Sequence, residues 1–243
     1  MQLAVTETGR GTRTAVLIHG IMADSRVWHR VTLELEERGF RVLAVDLAGH
    51  GRSPRARRYS PSAWADDVVE TLRPLLTTPP DLVMGHSLGG LVASLVADRL
   101  SPRAAIYVDP AFAFPRGLRG LSKMLWALKP RPRRSILVQT NPGLDVADVE
   151  IKIEGLRAWD RRTLFGFADI RPLVPPATLV APSLVVLAER SLLITAPVVA
   201  ALRRLGMTVE TIPGTGHTVF RDEHAGFVQV LDRWLDRTLP ATR

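Results

Sequence analysis

Apolar residues along this chain fall into two alternating kinds of segment. Short unbroken apolar runs read as strands buried on both faces, and longer stretches with apolar residues three and four apart read as one-sided helices. Strands are expected at 14–19, 40–46, 81–86, 104–109, 183–188 and 207–212. Helices are expected at 27–38, with Ser25 as N-cap and Gly39 as stop, at 62–76 behind Ser60-Pro61, at 88–100, near 197–205, and at 225–239. The alternation predicts a parallel sheet with helices on both faces. Residues 111–182 break it, with helical patches at 118–128 and 146–167 and little strand signal. This stretch is expected to fold as a helical cap over the sheet. The core then comprises 1–110 and 183–243.

Composition narrows the class. The 243 residues are 46% hydrophobic and 23% charged, which is ordinary globular usage. No apolar run reaches the ~18 residues of a membrane span. The segment Met1-Gln2-Leu3-Ala4-Val5-Thr6-Glu7 lacks the basic and apolar regions of a signal peptide, so a cytoplasmic location is expected. The absence of cysteine excludes disulfides, thiolate nucleophiles, Fe–S clusters and cysteine-based zinc sites.

The net charge of +8 comes almost wholly from arginine, since only Lys123, Lys129 and Lys152 are lysine. Aromatics are 6% and do not interleave with the basic residues, so no nucleic-acid partner is expected. The charge of the cap is uneven. Residues 111–144 hold Arg116, Arg119, Lys123, Lys129, Arg131, Arg133 and Arg134 with no acid, and the proline-rich 129–134 reads as a loop. This basic stretch is either a solvated face or a means of steering an anionic substrate, such as an acyl group on an acidic carrier protein or on a nucleotide-containing thiol.

Three segments carry chemistry. Gly85-His86-Ser87-Leu88-Gly89 matches G-x-S-x-G, with a strand entering and a helix leaving. That context is a nucleophile elbow, in which a strained turn lifts the serine oxygen above the sheet edge. His19-Gly20 ends another strand, so the N–H groups of Ile21 and Leu88 are candidates for an oxyanion hole. His19 itself is expected to shape its loop. Pro213-Gly214-Thr215-Gly216-His217 follows the last strand and places His217 as a general base. His86 is expected to pack beneath the elbow and His224 to serve as a surface or capping residue. No metal or nucleotide motif is present, and no cofactor is expected.

These landmarks, with the loop Asp46-Leu47-Ala48-Gly49-His50-Gly51-Arg52-Ser53, resemble the α/β-hydrolase superfamily in order and spacing over essentially the whole chain. The resemblance implies the α/β-hydrolase fold, a mostly parallel eight-stranded sheet flanked by helices with the helical cap inserted after strand six. It implies Ser87 as nucleophile and His217 as base. The Asp46 loop looks like the structural loop beside the site. Relatives that dehalogenate alkanes or open epoxides carry Asp at the elbow, so Ser87 argues against both. One departure stands out. Where the pattern expects an acid after the seventh strand, the chain reads Ala188-Glu189-Arg190-Ser191. Asp109, at the end of the strand after the nucleophile helix, is the preferred substitute, because strand-end carboxylates project towards the site. Glu189 is the alternative acid, and a Ser–His dyad is a third arrangement.

The expected activity is hydrolysis of a carboxylic ester or related small acyl substrate through an acyl-serine, with an apolar wall drawn from Phe112, Phe114, Leu121, Met124, Leu125, Trp126, Trp159, Leu164 and Phe165, or with these residues forming the cap's own core. Two rivals share the fold: a C–C bond hydrolase or cofactor-free lyase or oxygenase, and a non-catalytic binding protein with a degenerate triad.

Overall fold

The structure, a computed structural model, describes residues 1–112, 134–140, 144–167 and 179–240. Seven strands form one sheet: β1 (Val5–Thr8), β2 (Arg13–Ile18), β3 (Phe40–Val45), β4 (Leu82–His86), β5 (Ala104–Val108), β6 (Ser183–Ala188) and β7 (Thr208–Ile212). Their order is β1-β3-β2-β4-β5-β6-β7. β1 runs antiparallel to β3, and every other pairing is parallel. The helices are α1 (His29–Glu37), α2 (Pro61–Leu72), α3 (Leu88–Leu100), α4 (Arg134–Thr140), α5 (Val146–Ala158), α6 (Ala196–Arg204), α7 (Val219–Asp222) and α8 (His224–Thr238).

All six expected strands are present, with ends displaced by at most one residue. The expected eight are seven among the described residues, and the 111–182 stretch follows the fifth of them rather than the sixth. β1 escaped the pattern because it is four residues long, only partly buried and at the sheet edge. Ser25 does not cap the first helix. α1 has no side-chain cap, and Asp24 instead caps a 3₁₀ turn ahead of it, Ser25–Trp28, accepting from the Arg26 amide at 3.1 Å. Ser60 caps α2 as expected, through the Ala63 amide at 3.1 Å, with Pro61 in the first turn.

Side chains alternate across the central strands and fill two separate cores. Val16, Ile18, Leu43 and Val45 pack with Val68 and Leu72 of α2, Val92 and Val96 of α3 and Leu202 of α6. Ala15, Leu17, Val42 and Ala44 pack with Val31 and Leu35 of α1 and Phe227, Leu231 and Trp234 of α8. The sheet is therefore covered on both faces, which explains why its strands read as continuous apolar runs.

The patch at 118–128 lies outside the described residues. The patch at 146–167 forms α5 and then a 3₁₀ turn, Arg161–Phe167. This part of the chain is fastened to the core beside the Asp46 loop. The Asp160 amide donates to the Gly49 carbonyl at 2.8 Å, and the Tyr59 hydroxyl donates to the Asp160 carboxylate at 2.8 Å. Parallel strands end at one edge, so the loops after β2, β3, β4, β5, β6 and β7 all open on the same side of the molecule.

Candidate active site

Ser87 sits between β4 and α3 with φ 54° and ψ −116°. For a residue with a Cβ this is a strained conformation, costing about 1–3 kcal/mol unless its surroundings enforce it. They do so through close backbone packing. A Cβ on Gly85 would lie 2.1 Å from the Gly89 carbonyl oxygen, and one on Gly89 would lie 2.1 Å from that of Ile18. The turn is also pinned to β5, with the Ser87 amide donating to Val108 at 3.0 Å and the Ser87 carbonyl accepting from Ala111 at 2.9 Å.

Three side chains separated by up to 130 positions meet here. Ser87 Oγ lies 2.9 Å from His217 Nε2, and His217 Nδ1 lies 2.6 Å from Asp109 Oδ2. Asp109 is fully buried, Ser87 nearly so, and His217 is exposed towards solvent. The Asp109 backbone also has a positive φ, 38°, at the end of β5. A carboxylate facing Nδ1 assigns the imidazole proton to that nitrogen and leaves Nε2 to accept from the Ser87 hydroxyl.

The structure thus brings Asp109, not Glu189, to His217. Glu189 holds the loop on which His217 sits, its Oε2 accepting from the Gly214 amide at 3.0 Å. Ser191 makes a local turn, accepting from the amides of Leu193 at 3.3 Å and Ile194 at 3.0 Å. Both therefore serve chain geometry at the place where an acid was expected.

Of the two amides proposed for the oxyanion hole, that of Leu88 directly follows Ser87, and that of Ile21 follows Gly20, which packs against the elbow. Leu88 opens α3, so its N–H is one of the unsatisfied first-turn donors, at the positive end of the helix. Gly20, just before Ile21, passes so close that a Cβ would come within 3.2 Å of Ser87 Cβ. His19 shapes this loop as expected. Its Nε2 accepts from the Leu47 amide at 2.9 Å, which leaves Nδ1–H to donate to the Gly20 carbonyl at 2.7 Å. Its pKa is lowered, chiefly by burial, so the ring is neutral. Asp46 is structural too, accepting from the amides of Ser25 at 2.7 Å and Arg52 at 2.9 Å.

His86 does more than pack beneath the elbow. Its Nε2 donates to the His217 carbonyl at 2.9 Å, and its ring lies 4.7 Å from that of His217 and 5.3 Å from that of Phe220. Burial, and then the neighbouring His217, push its pKa well below the usual imidazole value. Asp222 is a further support that sequence reasoning missed. Its Oδ2 accepts from the Gly216 amide at 2.9 Å, and its pKa is raised by burial. No local pattern signals either contact, because each partner is a backbone group.

Of the suggested apolar wall, Phe112 is buried against Tyr107 and Trp159 is buried, whereas Phe165 is 62% exposed. Phe114, Leu121, Met124, Leu125 and Trp126 lie outside the described residues. A separate cleft of about 710 Å³ lies between α5 and the Asp46 loop, lined by Asp24, Arg26, Arg52, Glu154 and Arg157 among others. Among the described residues no group of His, Asp and Glu could hold a metal ion, and no helix is long and apolar enough to cross a membrane.

A strained serine between strand and helix, with a histidine and a buried carboxylate converging on it from one sheet edge, is the architecture of a hydrolase fold. The sequence profile of the Alpha/beta hydrolase family matches residues 15–230, and the chain belongs to that family. It is 40% identical over 109 residues to Lipase LipV of Mycobacterium tuberculosis, spanning 42% of this chain and 39% of that protein. It is 37% identical over 110 residues to the pimeloyl-(acyl-carrier protein) methyl ester esterase of Klebsiella pneumoniae, spanning 43% of this chain and 40% of that protein. Each alignment thus covers less than half of the relative. The fold is that of E-2-(acetamidomethylene)succinate hydrolase, with a TM-score of 0.79 at 22% identity over 96% of this chain and 95% of that one.

Proposed function

We propose that the protein is a serine hydrolase of carboxylic esters or related acyl compounds. The observation that carries this reading is the unbroken line from Asp109 Oδ2 through the His217 ring to Ser87 Oγ, at 2.6 Å and 2.9 Å. Ser87 Oγ attacks the acyl carbonyl carbon while its proton passes to His217 Nε2. The carbonyl electron pair moves onto oxygen, where the amides of Ile21 and Leu88 stabilise it. When the intermediate collapses the ester C–O bond breaks, and His217 returns the proton to the departing alcohol. Water then repeats the sequence on the acyl-serine and frees the acid. Asp109 keeps the proton on Nδ1 and stabilises the imidazolium formed in each half.

Ser87→Ala is expected to lower kcat for an activated ester by about 10⁴–10⁶ while leaving the fold intact. A fluorophosphonate is expected to label the wild type and not the variant. A folded Ser87→Ala protein that keeps about a tenth of wild-type turnover overturns the mechanism.

Residues 111–182 form the cap in this reading and supply the acyl-facing wall. The substrate we favour is an acyl group on an anionic carrier. Support comes from the acid-free basic stretch at 111–144, from exposed Arg55, Arg57 and Arg58 beyond the Asp46 loop, and from the acyl-carrier-protein ester for which the Klebsiella relative is named. Added salt should then lower kcat/KM for an anionic ester and barely change it for a neutral one. Equal salt response for both removes the steering role.

A further inference from the structure

One buried charge pair belongs to neither core nor to the line of reacting groups. Arg221, on α7, has a side chain 6% exposed, and Asp148, on α5, has one 1% exposed. Arg221 Nε lies 2.8 Å from Asp148 Oδ1 as an ion pair without hydrogen-bond geometry, and Nη2 donates to the Asp148 main-chain carbonyl at 2.7 Å. One guanidinium thus grips both the side chain and the backbone of α5. A buried pair adds little net stability over apolar residues of the same size, and its best-attested use is to fix register.

The register fixed here runs straight to His217. α7 begins two residues after it, and the next residue along α7 from Arg221 is Asp222, whose carboxylate accepts from the Gly216 amide at 2.9 Å. Lys152, one helical turn beyond Asp148, adds a third charge near Arg221 and Asp222. The other side of the same backbone is held by His86, through the His217 carbonyl. Asp222 and His86 thus grip the chain around His217 from both ends, and Asp222 in turn stands on a helix clamped to α5.

We propose that Arg221 is a positioning residue, which through Asp148 makes the seating of α5 on the core and the alignment of His217 on Ser87 a single event. This rests on the hydrolase reading above, in which His217 is the base and α5 belongs to the segment that walls the substrate. When α5 is seated, α7 is fixed, Asp222 holds the Gly216 amide, and Nε2 stays within hydrogen-bond reach of Ser87 Oγ. When the pair is lost, the loop has a freedom that matters to the reaction, since a displacement of about 1 Å can cost about 10²-fold in rate.

The test replaces the whole pair, so that no lone buried charge is left. In Asp148→Leu/Arg221→Met, kcat for p-nitrophenyl acetate is expected to fall about 10- to 100-fold with KM changing less than about threefold and the unfolding midpoint nearly kept. Arg221→Lys, which keeps the charge and loses the Nη2 bond to the Asp148 carbonyl, is expected to fall in between. Asp222→Ala should lower kcat in the same manner, and adding it to the double variant should cost little more, because both act on one line. A folded double variant with wild-type kcat overturns the proposal, as does full additivity with Asp222→Ala. If the double variant does not fold, Asp222→Ala alone decides, and wild-type kcat in it is the overturning result. The low-field NMR signal of the His217 Nδ1 proton against Asp109 reports alignment without any substrate. It should broaden or shift in the variants, and an unchanged signal counts against the coupling even if the wild type proves to have no esterase activity, an outcome that would overturn the hydrolase reading separately.

Discussion

The elbow at Ser87 and the loop at His217 face each other across one hydrogen bond, yet they are built by opposite means. The elbow is fixed by backbone against backbone. Gly85 and Gly89 let β4, α3 and β2 approach within distances that no Cβ permits, and Ser87 is forced into its positive φ as a result. The loop is fixed by side chains from elsewhere. Glu189 holds the Gly214 amide, Asp222 the Gly216 amide, His86 the His217 carbonyl and Asp109 the ring itself. A serine held by backbone geometry keeps its place when side chains around it change, whereas a histidine held by separate side chains can be loosened one contact at a time.

The largest effect that separates the two regions is expected at Asp109. Asp109→Asn leaves the elbow untouched and removes the group that keeps the proton on Nδ1, so kcat should fall by up to about 10⁴. Turnover assays on the folded variant check this, and full activity would remove Asp109 from the site. Rescue by Ser191→Asp in that background is a sharper form of the same test. Part of the rate should return once a carboxylate stands where the family pattern expects one.

Acid should act on both regions together. His19, His50 and His86 are buried with pKa values lowered by burial, that of His50 to about 3. Below the unfolded value of ~6.5 the unfolded chain binds protons that these folded rings refuse, so stability is greatest above that pH and falls as pH drops through it. Each ring contributes a loss of about 1.4 kcal/mol per pH unit until its own folded pKa is reached. Denaturant unfolding between pH 7 and pH 5 measures this, and a flat stability across that window contradicts it. The smallest effect is expected at Glu189. Glu189→Gln keeps an acceptor for the Gly214 amide and should cost at most about threefold in kcat, whereas a loss as large as that of Asp109→Asn would make Glu189 the acid.

The same contrast explains what was legible in the chain. The elbow was readable because its cause is local: two glycines, a serine, and a strand and helix on either side. Asp109 could be singled out as the acid ending the strand after the serine's helix, and the structure sets it against His217 Nδ1. The supports of the His217 loop were not, since they join a carboxylate or imidazole to a backbone group many residues away, and no periodicity records such a pairing. Arg221 in its short helix and Asp148 in α5 each look unremarkable in their own segments, and only their contact across 73 positions gives them meaning. β1 and α7 were missed for a simpler reason, each being four residues long.

The carboxylate that meets His217 stands at the end of β5, where the resemblance expects one after the neighbouring strand, and this has a consequence for how such a chain can change over generations. β5 and β6 lie side by side, with Tyr107 opposite Val185 and Val108 opposite Val186, so their two exits open next to each other before the same histidine loop. A lineage that carries an acid at both exits for a time never passes through a form without one, and either acid is then free to drift. Here the β6 exit carries a tether in Glu189 and a turn in Ser191. If Asp109 serves the reaction, that turn is a place where sequence variety can accumulate at little cost, provided its two backbone contacts are kept.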